Sequence, residues 1–154
     1  RYRAPQSSDA ALGNPNAPAL WNPNAAASWS LLFSPIFGAA LHMINARAMG
    51  DEILARQNKL ALIILVVFTL LVPPVALLFN LNTNIFGLVL LLGWYFGIGR
   101  RQGDAVKQQY DTYYPRKSWL KPLGLAVLGV VLYLAYAFAV GFVIGFAGSE
   151  IVVE

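Results

Sequence analysis

The sequence predicts an all-α membrane protein, because it is rich in apolar residues, contains long segments without charge, and confines its basic residues to two regions. Of 154 residues, 58% are hydrophobic and 12% are charged, whereas an average soluble domain has about 25% charged residues. Mean hydropathy is +0.58. A soluble chain with this balance would expose large apolar surfaces to water, so the composition argues against a soluble enzyme or a soluble binding module.

The first 58 residues are too polar or too short to span a bilayer. Residues 1–24 predict an extended arm rich in Pro, Asn and Ala, because each proline removes a backbone donor and favours extended backbone before it. Asn24 is a suitable N-cap for a first short helix, and Ser34-Pro35 suits the start of a second. We therefore predict interfacial helices in residues 25–58, on the cytoplasmic side, and residues 35–49 could either lie flat or re-enter the bilayer.

A membrane domain follows, with three apolar segments that predict three transmembrane helices. The first has 20 residues without a charge, about 30 Å of helix at roughly 1.5 Å per residue. The turn between the first two segments is short, so these two helices form a hairpin. Pro73 and Pro74 interrupt the hydrogen bonding of the first helix and predict a kink, either a hinge or a fixed bend. The predicted boundaries are 59–148 for the domain and 60–79, 81–98 and 122–147 for the spans, and the second span could instead start at Ile85.

The basic residues predict the orientation of these spans. All eleven lysines and arginines lie either before the first span or in the loop 100–121. Three spans place both regions on one side, and the positive-inside rule makes that side cytoplasmic. The N-terminus is then cytoplasmic and the tail 149–154 is on the outer side. Contacts with the interface or with lipid are predicted for Trp21, Trp29, His42, Arg47, Arg100, Arg101 and Trp119.

Two G-x-x-x-G patterns lie in the second and third predicted spans. Small residues four apart form a groove in which another helix backbone can approach closely. Such grooves serve either packing within the chain or contact with another membrane protein or a second copy. The residues concerned are Gly93 and Gly97 in one helix and Ala137, Gly141 and Gly145 in the other.

Few residues carry reactive chemistry. The predicted spans contain no Asp, Glu, Lys, Arg or His, which argues against a pump or an ion-coupled carrier. His42 is the one histidine and cysteine is absent, so the residues predict no metal site, no cofactor and no catalytic group. Nothing indicates nucleic-acid binding. Tyr133 and Tyr136 place hydroxyls at membrane depth, where either a buried ligand or an interhelical hydrogen bond would satisfy them.

Two stretches of sequence carry a resemblance to a known group. One runs from Trp21-Asn22-Pro23-Asn24-Ala25-Ala26 through residues 29–38 (WSLLFSPIFG) to His42 and Asn45, and the other is residues 114–119 (YPRKSW) followed by Lys121-Pro122. Together they resemble small bacterial inner-membrane proteins, a group that is largely uncharacterised. The resemblance implies a bacterial inner-membrane origin and no particular activity.

These observations predict a non-catalytic accessory protein of the inner membrane: a subunit, assembly factor or stabiliser of a larger complex. The alternative is a pore-forming toxin, or an immunity protein against one, from bacterial competition, because small hydrophobic chains with few charges serve both roles. A weaker third hypothesis is a lipid- or quinone-binding enzyme that uses His42 and Arg47. The bilayer itself is an expected partner.

Overall fold

The computed structural model describes residues 17–83 and 85–151, and within these ranges the prediction of an all-α protein is confirmed. The predictions for residues 1–16 of the arm, for Asn84 in the turn and for residues 152–154 of the tail lie outside the described residues. The helices are α1 (Pro23–Phe33), α2 (Pro35–Ala48), α3 (Glu52–Phe79), α4 (Phe86–Trp94), a π-helical turn (Tyr95–Gly99), α5 (Arg100–Tyr110) and α6 (Leu120–Ile151).

The first helix begins slightly earlier than the sequence predicts. Asn22, rather than Asn24, is the N-cap, and its side chain accepts hydrogen bonds from the backbone N–H groups of Asn24 and Ala25. This arrangement places Pro23 at the first helical position, where a missing N–H costs nothing. Ser34 separates α1 from α2 with a φ of 135°, and Pro35 then opens α2 as predicted.

Helices α1 and α2 form an antiparallel hairpin that stands beside α3. His42 of α2 bonds to Pro23 at the start of α1, so the two helices run in opposite directions. Ala39 packs with Leu65, and Ala46 packs with Leu54, so α2 also runs antiparallel along α3. Within residues 25–58, where the sequence predicts interfacial helices, α1 and α2 therefore pack as a hairpin along α3.

The tip of this hairpin is apolar and open. It consists of the end of α1, Ser34 and the start of α2, and Leu31 and Leu32 at the end of α1 are 69% and 73% exposed. The register that pairs Ala39 with Leu65 places Ser34 near Thr69, in the middle of the apolar part of α3. The hairpin thus runs along the N-terminal part of α3.

Two helices of the described chain are long and apolar enough to cross a membrane, not the predicted three. These are α3 and residues Leu120–Phe146 of α6. Asp51 caps α3 by accepting from the Leu54 backbone N–H, and the helix continues through Pro73 and Pro74.

The predicted span 81–98 is too short. Asn80 adopts a left-handed conformation that ends α3, and α4 begins only at Phe86. The nine residues of α4 and the five of the π-helical turn give about 21 Å of helix, against a hydrocarbon thickness of about 30 Å. The turn between α3 and α4 includes residues that the sequence pattern assigns to the second span.

Trp94 fills the space between α2, α3 and α4. Its ring is 5% exposed and packs with Ala39, Ala61 and Leu65. The approach is close because Gly38 presents no side chain: a Cβ there would overlap both the Ser30 hydroxyl and the Trp94 ring. The small residue at position 38 therefore allows the hairpin to pack against α4.

We expect Gly38→Ala to destabilise the protein by about 2 kcal/mol, because overpacking a tight contact typically costs about 1–3 kcal/mol. Glycine to alanine inside a helix otherwise stabilises by about 1 kcal/mol, so the close contact reverses the sign. The matched control is Gly93→Ala in α4, where an added Cβ meets nothing and stability should rise. Unfolding in detergent micelles measures both, and stabilisation by both variants would contradict the expected contact.

Candidate functional site

Three distant stretches of sequence meet at the end of the molecule where α3 and α6 begin. Leu20 forms a parallel bridge with the loop before α6, since its N–H donates to the Pro115 carbonyl and its carbonyl accepts from the Lys117 N–H, each at 2.9 Å. The indole Nε1–H of Trp21 donates to the Ser118 carbonyl at 2.9 Å. The Lys117 ammonium lies 4.5 Å from the centre of the Trp21 ring, a cation–π contact.

Asn45 of α2 holds the same segment from the other side. Its Oδ1 accepts from the Trp21 backbone N–H at 3.1 Å, and its Nδ2 donates to the Trp21 carbonyl at 2.7 Å. The side-chain amide therefore pairs with both backbone groups of one residue, as a neighbouring strand would. Asn45 is fully buried, so this pair of bonds fixes the segment before α1 to the bundle.

His42 lies one helical turn from Asn45 and is 1% exposed. Its Nε2 lies 3.0 Å from the Pro23 carbonyl, which can only accept, so Nε2 carries the proton. Burial lowers the pKa of His42 from 6.5 to about 4, although the bond to Pro23 opposes the shift. The ring contacts that of Trp94, with centroids 5.2 Å apart. His42 thus lies inside the bundle as a neutral side chain, where the sequence predicts an interfacial or lipid contact.

Further buried polar groups lie on the neighbouring helices. The register between α2 and α3 places Asn58 level with His42; Asn58 Nδ2 donates to its own helix at Leu54. Gln102 of α5 donates to the Met49 sulfur at 3.4 Å. Within the described chain, four buried polar atoms lack a hydrogen-bond partner: His42 Nδ1, Asn58 Oδ1, Trp94 Nε1 and Gln102 Oε1.

These groups form a polar layer that sequence reasoning largely missed. The sequence pattern predicts no role for Asn58 or Gln102, and Asn45 belongs only to the first of the two stretches that carry the resemblance. The sequence offers little signal for Asn58 and Gln102, because Asn58 lies between Gln57 and Lys59, and Gln102 lies between Arg101 and Gly103. Three of the four unpartnered atoms can accept a hydrogen bond and one can donate, so the layer consists of neutral hydrogen-bonding groups.

The predicted interfacial cations are exposed at this same end. Arg47, Arg100 and Arg101 are all exposed. The Arg101 guanidinium donates to Gln57 Oε1 at 3.5 Å. Trp119 lies half-buried at the start of α6. Trp29 instead lies toward the hairpin tip, stacked on Phe33 with ring centroids 5.8 Å apart.

The glycine grooves and the two tyrosines lie elsewhere. A Cβ added at any of the four G-x-x-x-G glycines would meet nothing within 4 Å, so neither groove is packed against another described part of the chain. The hydroxyl of Tyr136 donates to the Leu70 carbonyl of α3 at 2.5 Å, an interhelical bond. The Tyr133 ring lies beside the Tyr136 ring, with the two ring centroids 6.4 Å apart. The glycines are Gly93, Gly97, Gly141 and Gly145, and Ala137 is half-buried beside the last two.

The site at the basic end therefore consists of a backbone-pinning arrangement over a layer of neutral polar side chains. Across residues 17–83 and 85–151, no cluster of three His, Asp or Glu side chains could hold a metal ion. Comparison with protein-family models, curated proteins and solved structures finds no match to this chain.

Proposed function

We propose that the chain is a non-catalytic accessory protein of the bacterial inner membrane, a subunit, assembly factor or stabiliser of a larger complex. The observation that carries the proposal is the exposure of α6. None of the residues in an apolar 18-residue stretch of this helix is buried within the molecule, yet one face of the helix carries Gly141 and Gly145 without a packing partner.

Helix α6 attaches to the bundle by only one side. That side includes Tyr136, which bonds to Leu70 of α3, whereas Phe138 and Phe142 are 77% and 66% exposed. In lipid, helices gain little from burying apolar groups against each other, and close packing of backbones over small residues is what drives association. A glycine groove beside a row of phenylalanines therefore suits a helix of another membrane protein.

The charge distribution supports a cytoplasmic basic end. Described basic residues lie at the start of α3, along α5, in the loop before α6 and at its first turn. In the proposed topology this end and the N-terminal arm face the cytoplasm. Helix α3 runs outward, α4 returns the chain without the length of a full span, and α6 carries it outward again to a periplasmic C-terminus. Exposed Arg100 and Arg101 would then contact anionic lipid headgroups.

A role without catalysis agrees with the surroundings of His42. The side chain is buried against Trp94 and bonded to a backbone carbonyl, so its protonated nitrogen is already used in holding α1 to α2. The nearest basic residue in the sequence, Arg47, is exposed at the surface. The polar layer therefore acts in positioning helices rather than in transferring protons to a substrate.

We expect Gly141→Leu and Gly145→Leu to weaken partner association at least tenfold without affecting insertion, because a bulky side chain blocks close helix contact. Ala139→Leu is the matched control: the residue is exposed and lies two positions away, about 200° around the helix. The measurement is mass spectrometry of the intact assembly purified in mild detergent. A stoichiometric second protein that is lost in the glycine variants supports the proposal. A self-oligomer alone, or association unchanged by the glycine variants, would contradict it.

A further inference from the structure

An elongated cavity of about 550 Å³ lies between the hairpin tip, α3, α4 and α6. Along α6 its lining extends from Pro122 to Tyr133, eleven residues apart and thus about 16 Å of helix. Most of the lining is apolar, including Phe37, Leu90 and Val130, and none of the lining residues is charged. The volume lies within the range of about 300–1,000 Å³ that is typical of small-molecule sites.

Four residues that carry a hydroxyl line this cavity; Thr83 lies in the turn after α3, and the other three lie near one level on three different elements. Ser34 is at the hairpin tip, Thr69 is in the middle of α3 and Tyr133 is in α6. The bond from Tyr136 to Leu70 fixes the register of α6 against α3 and places Tyr133 within about one turn of Thr69. None of the three hydroxyls bonds to another side chain or caps a helix in the described chain.

Hydroxyls in a hydrocarbon environment need an acceptor or donor, because leaving them unpaired costs about 1–3 kcal/mol each. Thr69 lies nine residues beyond the start of the uncharged stretch of α3 at Leu60, about 14 Å into it. Charged headgroups would find no counter-charge at this depth and no cation in the lining. The hydroxyls therefore suit a neutral oxygen on a molecule that is otherwise hydrocarbon.

We propose that this cavity binds a neutral lipid whose carbonyl oxygen accepts hydrogen bonds from Thr69 and Tyr133. If a methylene fills about 30 Å³, as a water molecule does in the liquid, the cavity has room for roughly 18 carbons. The elongated shape accommodates one chain along α6. A lipid quinone and a diacylglycerol share this chemistry: each carries neutral carbonyl groups and at least one long apolar chain, and the second acyl chain of a diacylglycerol would extend out of the cavity into the bilayer. The assignment is independent of the proposed accessory role.

The test measures binding to the purified full-length chain in detergent micelles. The probes are a benzoquinone with a short prenyl tail, a diacylglycerol, and a phosphatidylcholine of the same acyl chains. We expect saturable binding of one or both neutral lipids, at least tenfold tighter than that of phosphatidylcholine. Binding of the quinone alone or of the diacylglycerol alone identifies the source of the carbonyl.

Variants locate the ligand in the cavity. Thr69→Val and Tyr133→Phe retain shape and remove one hydroxyl each, and each should weaken binding about five- to tenfold, as expected for one lost hydrogen bond. Tyr113→Phe is the matched control, because this tyrosine is exposed in the loop before α6 and lies outside the cavity lining; binding should be unchanged. Ala126→Phe places a ring into the lining and should abolish binding, with circular dichroism verifying the fold.

Two results would overturn the assignment. Phosphatidylcholine binding as tightly as the neutral lipids would show that the cavity accepts any lipid chain. Equal binding by the wild-type chain, Thr69→Val and Tyr133→Phe would show that the hydroxyls do not contact the ligand. Neither result bears on partner association through α6, so failure of the lipid assignment is distinguishable from failure of the accessory role.

Discussion

Replacing Asn45 by alanine is expected to lower the free energy of unfolding by about 3 kcal/mol. The substitution removes two hydrogen bonds to the Trp21 backbone, at 3.1 and 2.7 Å, and a buried group left without a partner costs about 1–3 kcal/mol. The loss is amplified because Trp21 also bonds to Ser118. Loosening this segment therefore weakens the attachment of the loop before α6 as well as the start of α1.

The measurement is equilibrium unfolding in detergent micelles, followed by tryptophan fluorescence and by circular dichroism. Gln57→Ala is the matched control, since the Gln57 amide makes a long, exposed contact to Arg101 at 3.5 Å; a change within about 0.5 kcal/mol is expected for such a surface site. A loss below 1 kcal/mol in Asn45→Ala would show that the pairing with Trp21 contributes little to the native state.

Helix boundaries follow from local chemistry, and the sequence predicts them well. Pro35 occupies the first position of α2, as the sequence predicts. The predicted cap at Asn24 is wrong by two residues because two similar Asn-Pro-Asn and Asn-Ala signals overlap, and the side chain of Asn22 captures the free N–H groups first. Such local competitions shift a boundary without changing the helix.

Contacts between distant segments are not determined by local chemistry. The orientation of the α1–α2 hairpin depends on Gly38 meeting Trp94, 56 residues away in sequence, and no periodicity within either helix indicates that contact. The short second apolar segment is wrongly predicted as a span because hydropathy counts apolar residues without showing where the turn ends. The turn extends to Ile85, which leaves too little helix for the bilayer.

Acidification should reveal the buried histidine. Burial lowers the pKa of His42 from 6.5 to about 4 in the folded protein. Between these values the unfolded chain binds a proton that the folded chain does not, so stability falls as the pH decreases. The difference between 6.5 and about 4 corresponds to about 3 kcal/mol at roughly 1.4 kcal/mol per pKa unit. The free energy of unfolding is therefore unaffected by His42 above pH 6.5 and decreases as the pH falls from 6.5 toward 4. Below pH 4 the protonation of His42 lowers it no further.

The test is the free energy of unfolding in micelles from pH 7.5 to 4, for the wild-type chain and for His42→Gln. A glutamine amide retains a donor for the Pro23 carbonyl, the partner of Nε2, but does not titrate in this range. Subtracting the two curves removes the contribution of the carboxylates, which both proteins share. We expect the difference to change by about 3 kcal/mol across the interval. Parallel curves would mean that His42 accepts a proton as readily in the folded chain as in the unfolded one, and thus that the helices around it open to water.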